Sequence, residues 1–244
     1  MQTTHDLPAH VDRVLEEFVA AARQACGDAL LSVVLYGSGA EGKLRATSDV
    51  NLILVLTEFT PQMADALRDP LRVGQAAARL AVMFLLESEV SAAVNAYPVK
   101  YLDIIHRQRI LHGRNPFADL SVSRNASLFG LKQVLLNLRL RLRSQYVLRG
   151  LNEEQLALVA ADAAGPLRSC AATLLELEGH PASSPKEALE QIALSLEDPA
   201  WRDVLTHLSE ARETRRLQAG VAGDTLFRLM KLTDLLLSRV DSLA

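Results

Sequence analysis

Apolar residues at positions 11, 14, 15, 18, 19 and 22 recur at helical spacing, with Asp12, Arg13, Glu16 and Glu17 on the opposite side. That pattern predicts an amphipathic helix over residues 8–26, entered at Pro8 and left at Gly27. The period then changes. Leu31–Tyr36 and Val50–Leu56 are short β-branched and aliphatic runs bounded by Gly and Ser, which predicts two buried strands. A helix is expected from Thr60 and Pro61 to about Val73, broken at Pro70. Residues 80–86 (LAVMFLL) read as a third strand, Ser88–Asn95 as a brief helix, and Val99–Ile105 (VKYLDII) as a fourth strand. Beyond Asn115 and Pro116 the chain reads as helix almost throughout. Leu128, Leu131, Leu135, Leu138 and Leu142 mark a bundle seam. Further helices are expected over Asn152–Leu177, 184–196, 199–218 and 224–243. The pattern therefore predicts an α/β (α+β) chain, with a small mixed-sheet domain over residues 1–115 and an all-α helical bundle over 116–244.

Composition narrows the function classes. The 244 residues are 49% hydrophobic and 23% charged, ordinary for a globular protein. A net charge of −3 argues against a broad nucleic-acid surface. Cys26 and Cys170 sit in apolar helical contexts and read as buried thiols. The polar, acidic start lacks the order of a secretion signal, and no apolar run reaches the ~18 residues of a membrane span. A cytoplasmic protein is expected. The leucine-rich bundle faces allow a homodimer.

Candidate chemistry gathers between the first two strands. Gly37 and Ser38 follow the first strand directly, a turn that lets backbone amides and a hydroxyl approach an anion closely. Asp49 and Asn51 open the second strand and, two apart, share one face. Strand, Gly-Ser turn, and a strand opening Asp-Val-Asn resemble the core motif of the nucleotidyltransferase superfamily, which includes kanamycin nucleotidyltransferase, DNA polymerase β and the minimal nucleotidyltransferases. The resemblance is specific over Val33–Leu56.

It implies that Gly37 and Ser38 hold a nucleoside triphosphate or other phosphate ligand, and that Asp49 is a magnesium ligand. In the family a second aspartate stands at the position of Asn51 and a third acid comes from a later strand. On the expected fourth strand that position falls at Lys100. Asp49, Asn51 and Lys100 bring one negative charge, none and one positive charge, which sum to zero, and the lysine would compete with magnesium for Asp49. Asp103 would restore an acid only if the strand register shifted, because residues 100 and 103 of a strand face opposite sides. The expectation is a nucleotidyltransferase-like protein that binds nucleotide but is catalytically impaired. The alternative is an active transferase that moves a nucleoside monophosphate to a small-molecule or protein hydroxyl, with Mg²⁺ as cofactor only in that case. Arg202, Asp203 and His207 also match the Arg-polar-x3-His spacing of HEPN-type ribonucleases, a second alternative that includes a toxin–antitoxin component. Which acceptor the protein serves is not written in the sequence.

Overall fold

The computed structural model describes residues 7–243. The chain forms two compact units. One comprises the residues up to Ala96 together with Tyr101–Ser121; the other comprises Tyr97–Lys100 and the chain from Val122 onward.

In the first unit, helix α1 (Ala9–Cys26) leads into strand β1 (Leu30–Tyr36), and a 3₁₀ turn over Gly37–Gly39 separates β1 from β2 (Val50–Leu56). Helix α2 (Pro61–Ala78), β3 (Leu80–Leu86), α3 (Val90–Ala96), α4 (Pro98–His106, of which Pro98–Lys100 counts with the second unit) and β4 (Gln108–Gly113) follow. The sheet order is β3-β2-β1-β4, with β1 antiparallel to both β2 and β4 and β2 parallel to β3. It is a mixed sheet. Leu35, Leu52 and Leu54 pack with Leu15, Phe18 and Ala22 of α1 and Leu67 of α2. On the opposite face Val34, Ile53 and Val55 are buried as well. A sheet covered on both sides explains why β1 and β2 read as unbroken apolar runs.

Two expectations are corrected. Helix α2 runs through Pro70 without a break. Proline removes the hydrogen bond to the carbonyl four residues back, but Ala66 lies on an exposed turn where water can take its place. The helix is anchored instead by Leu67 and by Gly74, where an added Cβ would come within 2.8 Å of Leu80 Cδ2.

The second correction bears on the site. Val99–Ile105 is not a strand; it lies within α4, which begins at Pro98, a residue suited to the first turn of a helix. Buried Pro98, Tyr101 and Ile104 recur at helical spacing. The fourth strand is Gln108–Gly113, a half-buried edge strand whose Gln, Arg and His hide it from a search for alternation. Lys100 and Asp103 are therefore helical residues, and a shift of strand register no longer bears on Asp103.

The second unit is helical: α5 (Arg124–Arg149), α6 (Glu153–Leu177), α7 (Pro185–Leu194), α8 (Trp201–Thr214) and α9 (Ala222–Asp241). Ser123, Asn152 and Ser184 cap α5, α6 and α7 through their side-chain oxygens. The expected seam is buried from Leu128 to Leu142, in one core with Ala160, Ala164 and Leu167 of α6 and Leu229, Leu232 and Leu236 of α9. Small alanines on α6 let its neighbours approach closely. Among the described residues, no helix is long and apolar enough to cross a membrane.

Candidate nucleotide site

The end of β1 and the starts of β2, β3 and β4 meet at one end of the sheet. Register fixes what they present there. Tyr36 pairs with Asn51 on one side and Gln108 on the other, and Asn51 pairs with Ala81. Directly paired residues share a face, so the row reads Ala81, Asn51, Tyr36, Gln108. Neither strand flanking the central pair contributes a carboxylate to it. The Gln108 Oε1 atom is buried with no hydrogen-bond partner, while its amide nitrogen donates to the Ile105 carbonyl at 3.3 Å.

The Gly-Ser turn begins as β1 ends. Gly37 has φ 70°, a left-handed conformation that favours glycine, and an added Cβ would meet nothing within 4 Å. Its amide donates to the Arg107 carbonyl at 2.9 Å, and the Lys43 amide donates to the Ser38 carbonyl at 2.9 Å. These bonds hold the turn at both ends.

Asp49 has an unexpected partner. Arg79 Nε donates to Asp49 Oδ1 at 3.0 Å, and Nη2 lies 2.9 Å from the same oxygen as an ion pair. The cause lies in the register: β2 and β3 are parallel with Val50 opposite Leu80, which places Asp49 and Arg79 side by side at the strand entrances. Arg79 ends α2 in the left-handed conformation (φ 53°, ψ 40°), so the chain turns at once from helix into β3. Asn51, for its part, turns its amide nitrogen back to the Asp49 carbonyl at 3.2 Å.

A second charge cluster lies beside Tyr36. Arg107 donates to Asp103 at 2.9 and 2.5 Å and to Glu41 at 2.9 Å. Burial opposes the Arg107 charge, but Asp103 and then Glu41 outweigh it and hold the guanidinium above its ordinary pKa. Tyr36 is pushed up from its ordinary value by burial and then by the negative charge of Asp103. Asp103 is thus a structural counter-ion of Arg107 in this arrangement. Lys100 lies on the first turn of α4, and burial lowers its pKa.

The nucleotidyltransferase resemblance implies magnesium here, and the donor set does not suit it. Magnesium needs several hard, anionic oxygens in octahedral geometry. Asp49 is engaged by a guanidinium, Asn51 is neutral, and the row beside it carries alanine, tyrosine and glutamine. Among the described residues, no three His, Cys, Asp or Glu side chains converge as metal ligands.

In the helical unit, His207 Nδ1 lies 3.2 Å from Thr225 Oγ1. That hydroxyl gives its single proton to the Val221 carbonyl at 2.8 Å, so the histidine nitrogen is the donor. His207 ties α8 to α9, while Arg202 and Asp203 are exposed on α8.

Sequence reasoning missed Arg79, and it missed the pairing of Arg107 with Asp103 and Glu41. The signal for Arg79 was its place directly before an apolar run that had to pair with the Asp49 strand. The Arg107–Asp103 pair had no local signal, since it depends on the helix that replaced the expected strand.

No protein-family profile and no curated protein sequence matches the chain. Among solved structures it matches spectinomycin adenyltransferase AAD(9) from Enterococcus faecialis, crystallised with ATP and spectinomycin. Identity is 11%, the TM-score is 0.64, and the match covers 94% of this chain and 99% of that one. A toxin–antitoxin structure with AMP-PNP matches over 56% of this chain and 97% of its own, at 14% identity and a TM-score of 0.29, too low to weigh. The chain therefore has a nucleotidyltransferase-like fold, a small α/β unit with a helical bundle.

Proposed function

We propose that the protein binds a nucleoside triphosphate, or another ligand presenting phosphates, at the Gly37–Ser38 turn without magnesium, and that it is impaired in nucleotidyl transfer. The observation that carries this reading is the Arg79 guanidinium on Asp49. A cation supplied by the chain itself occupies the carboxylate that a metal would need. Guanidinium has five N–H donors in a rigid fork. Asp49 holds the Nε and Nη2 edge, by a hydrogen bond from Nε and an ion pair with Nη2, and so orients the group, leaving the Nη1 side for a phosphate oxygen. The open space at Gly37 allows close approach, and the fold's likeness to an adenyltransferase crystallised with ATP supports a nucleotide as ligand.

Catalysis of phosphoryl and nucleotidyl transfer is mostly positioning and charge neutralisation. One arginine provides part of that neutralisation for binding, while the nearby carboxylates of Asp49, Asp103 and Glu41 are each engaged by an arginine. Regulation or scaffolding, with the nucleotide as signal, follows more directly than turnover.

Calorimetric titration with ATP tests this, once with EDTA and once with Mg²⁺. Equal affinity in both supports the reading; binding only with Mg²⁺ overturns it. Asn51→Asp combined with Arg79→Gly should then make ATP binding respond to Mg²⁺, and no gain counts against the account of the lost metal site.

A further inference from the structure

Helix α5 carries large apolar side chains on the side away from its core. Phe129 is 70% exposed, Leu136 41%, Leu140 52% and Val147 85%. Their spacing is seven, four and seven, the seam of a two-helix coiled coil. From Phe129 to Val147 the stripe runs ~27 Å along the helix at 1.5 Å per residue. A buried seam on one face and an exposed one on the other is unusual for a bundle helix, and such a face normally has a partner.

The stripe also has an internal symmetry. Phe129 and Val147 are equidistant from Leu138, and so are Leu136 and Leu140. Two copies laid antiparallel about a two-fold axis at Leu138 would set Phe129 against the other copy's Val147 and Leu136 against its Leu140. Every apolar knob then meets an apolar residue, as an isologous contact requires.

Charge selects the same arrangement. Helix α5 contains six basic residues and no acidic one, which would set two such helices against each other. Lys132 and Arg139, which border the stripe, are already paired with Asp241 and Asp234 of α9 at 2.6 and 2.5 Å. Antiparallel pairing sets Arg143 opposite Gln133 and Lys132 opposite Ser144. Parallel pairing would set Arg143 against its own copy, which like-charge repulsion disfavours.

We infer that the exposed face of α5 is a homodimer interface, formed by two copies of this chain with their α5 helices antiparallel about Leu138. Dimerisation does not depend on the nucleotide reading, since no residue of the stripe belongs to that site.

Analytical ultracentrifugation of the full chain from about 1 to 100 µM tests the interface. A concentration-dependent dimer is expected. Leu136→Lys with Leu140→Lys should weaken it at least about tenfold, with an unchanged circular dichroism spectrum because both positions are exposed. Orientation is read by oxidation of single-cysteine variants. Phe129→Cys mixed with Val147→Cys should give a cross-linked pair that neither gives alone, the native Cys26 and Cys170 being buried. A monomer throughout the range, a dimer untouched by the double lysine variant, or cross-linking of Phe129→Cys to itself would each overturn the inference.

Discussion

Arg79→Gly separates the structural from the binding role of the arginine on Asp49. The ion pair is more than half exposed, at 57% and 53% of the two side chains, so solvent screening holds its worth to about 0.2–1 kcal/mol. Arg79 also sits at φ 53°, where a residue with a Cβ pays about 1–2 kcal/mol. Glycine removes that strain but adds about 0.5–1 kcal/mol of unfolded-state freedom. These terms nearly cancel, and urea unfolding should place the variant within about 1 kcal/mol of the parent. Binding is another matter. A charge-assisted hydrogen bond to phosphate contributes about 1.5–3 kcal/mol, so ATP affinity in EDTA should fall about 10- to 150-fold. Arg79→Lys keeps the charge without the fork and should lie between the two. Calorimetry and urea unfolding on the same preparations give both numbers. An Arg79→Gly protein that folds normally and binds ATP as before would refute the placement of phosphate on this guanidinium.

Two further outcomes test the fold. Gly113→Ala should destabilise the first unit by about 2–4 kcal/mol, measured by urea unfolding. The residue is at φ 72°, and a Cβ there would lie 1.9 Å from the Leu31 carbonyl oxygen, which a backbone atom cannot vacate cheaply. Burial pushes the Cys170 thiol from its ordinary value of 9.0 up to about 12. The folded state therefore keeps a proton that the unfolded chain releases, so this group's contribution is complete below pH 9 and is lost as pH rises toward 12. Stability should fall by up to about 1.4 kcal/mol per pH unit in that window, and Cys170→Ala should flatten the slope. An unchanged slope would contradict the burial of the thiol.

The elements that could be read directly are those whose pattern is local. The strands β1 and β2 are continuous apolar runs because both faces of the sheet are covered. The α5 seam announces itself because its leucines recur at helical spacing along one continuous helix. The Gly-Ser turn is readable for the same reason, its conformation being set within a few residues. What escaped depends on pairing. β4 was hidden because an edge strand with one half-buried face tolerates Gln108, Arg109 and His112. In its absence the apolar run of α4 took its place and carried Lys100 with it as a supposed strand residue. Arg79 escaped although β3 was bounded correctly, since only the direction and register of β3 against β2 bring residue 79 to residue 49. The electrostatic expectation rested on a different residue. It named Lys100 as the cation that would compete with metal for Asp49, whereas the side chain against Asp49 is Arg79, fixed there by strand register. Register is the harder constraint to lose. A lysine on a flexible stem can leave the site by one rotamer change, whereas residue 79 stays beside residue 49 for as long as Val50 pairs with Leu80. Restoring a metal site in this chain therefore requires replacing Arg79 itself, and no substitution on α4 would be enough.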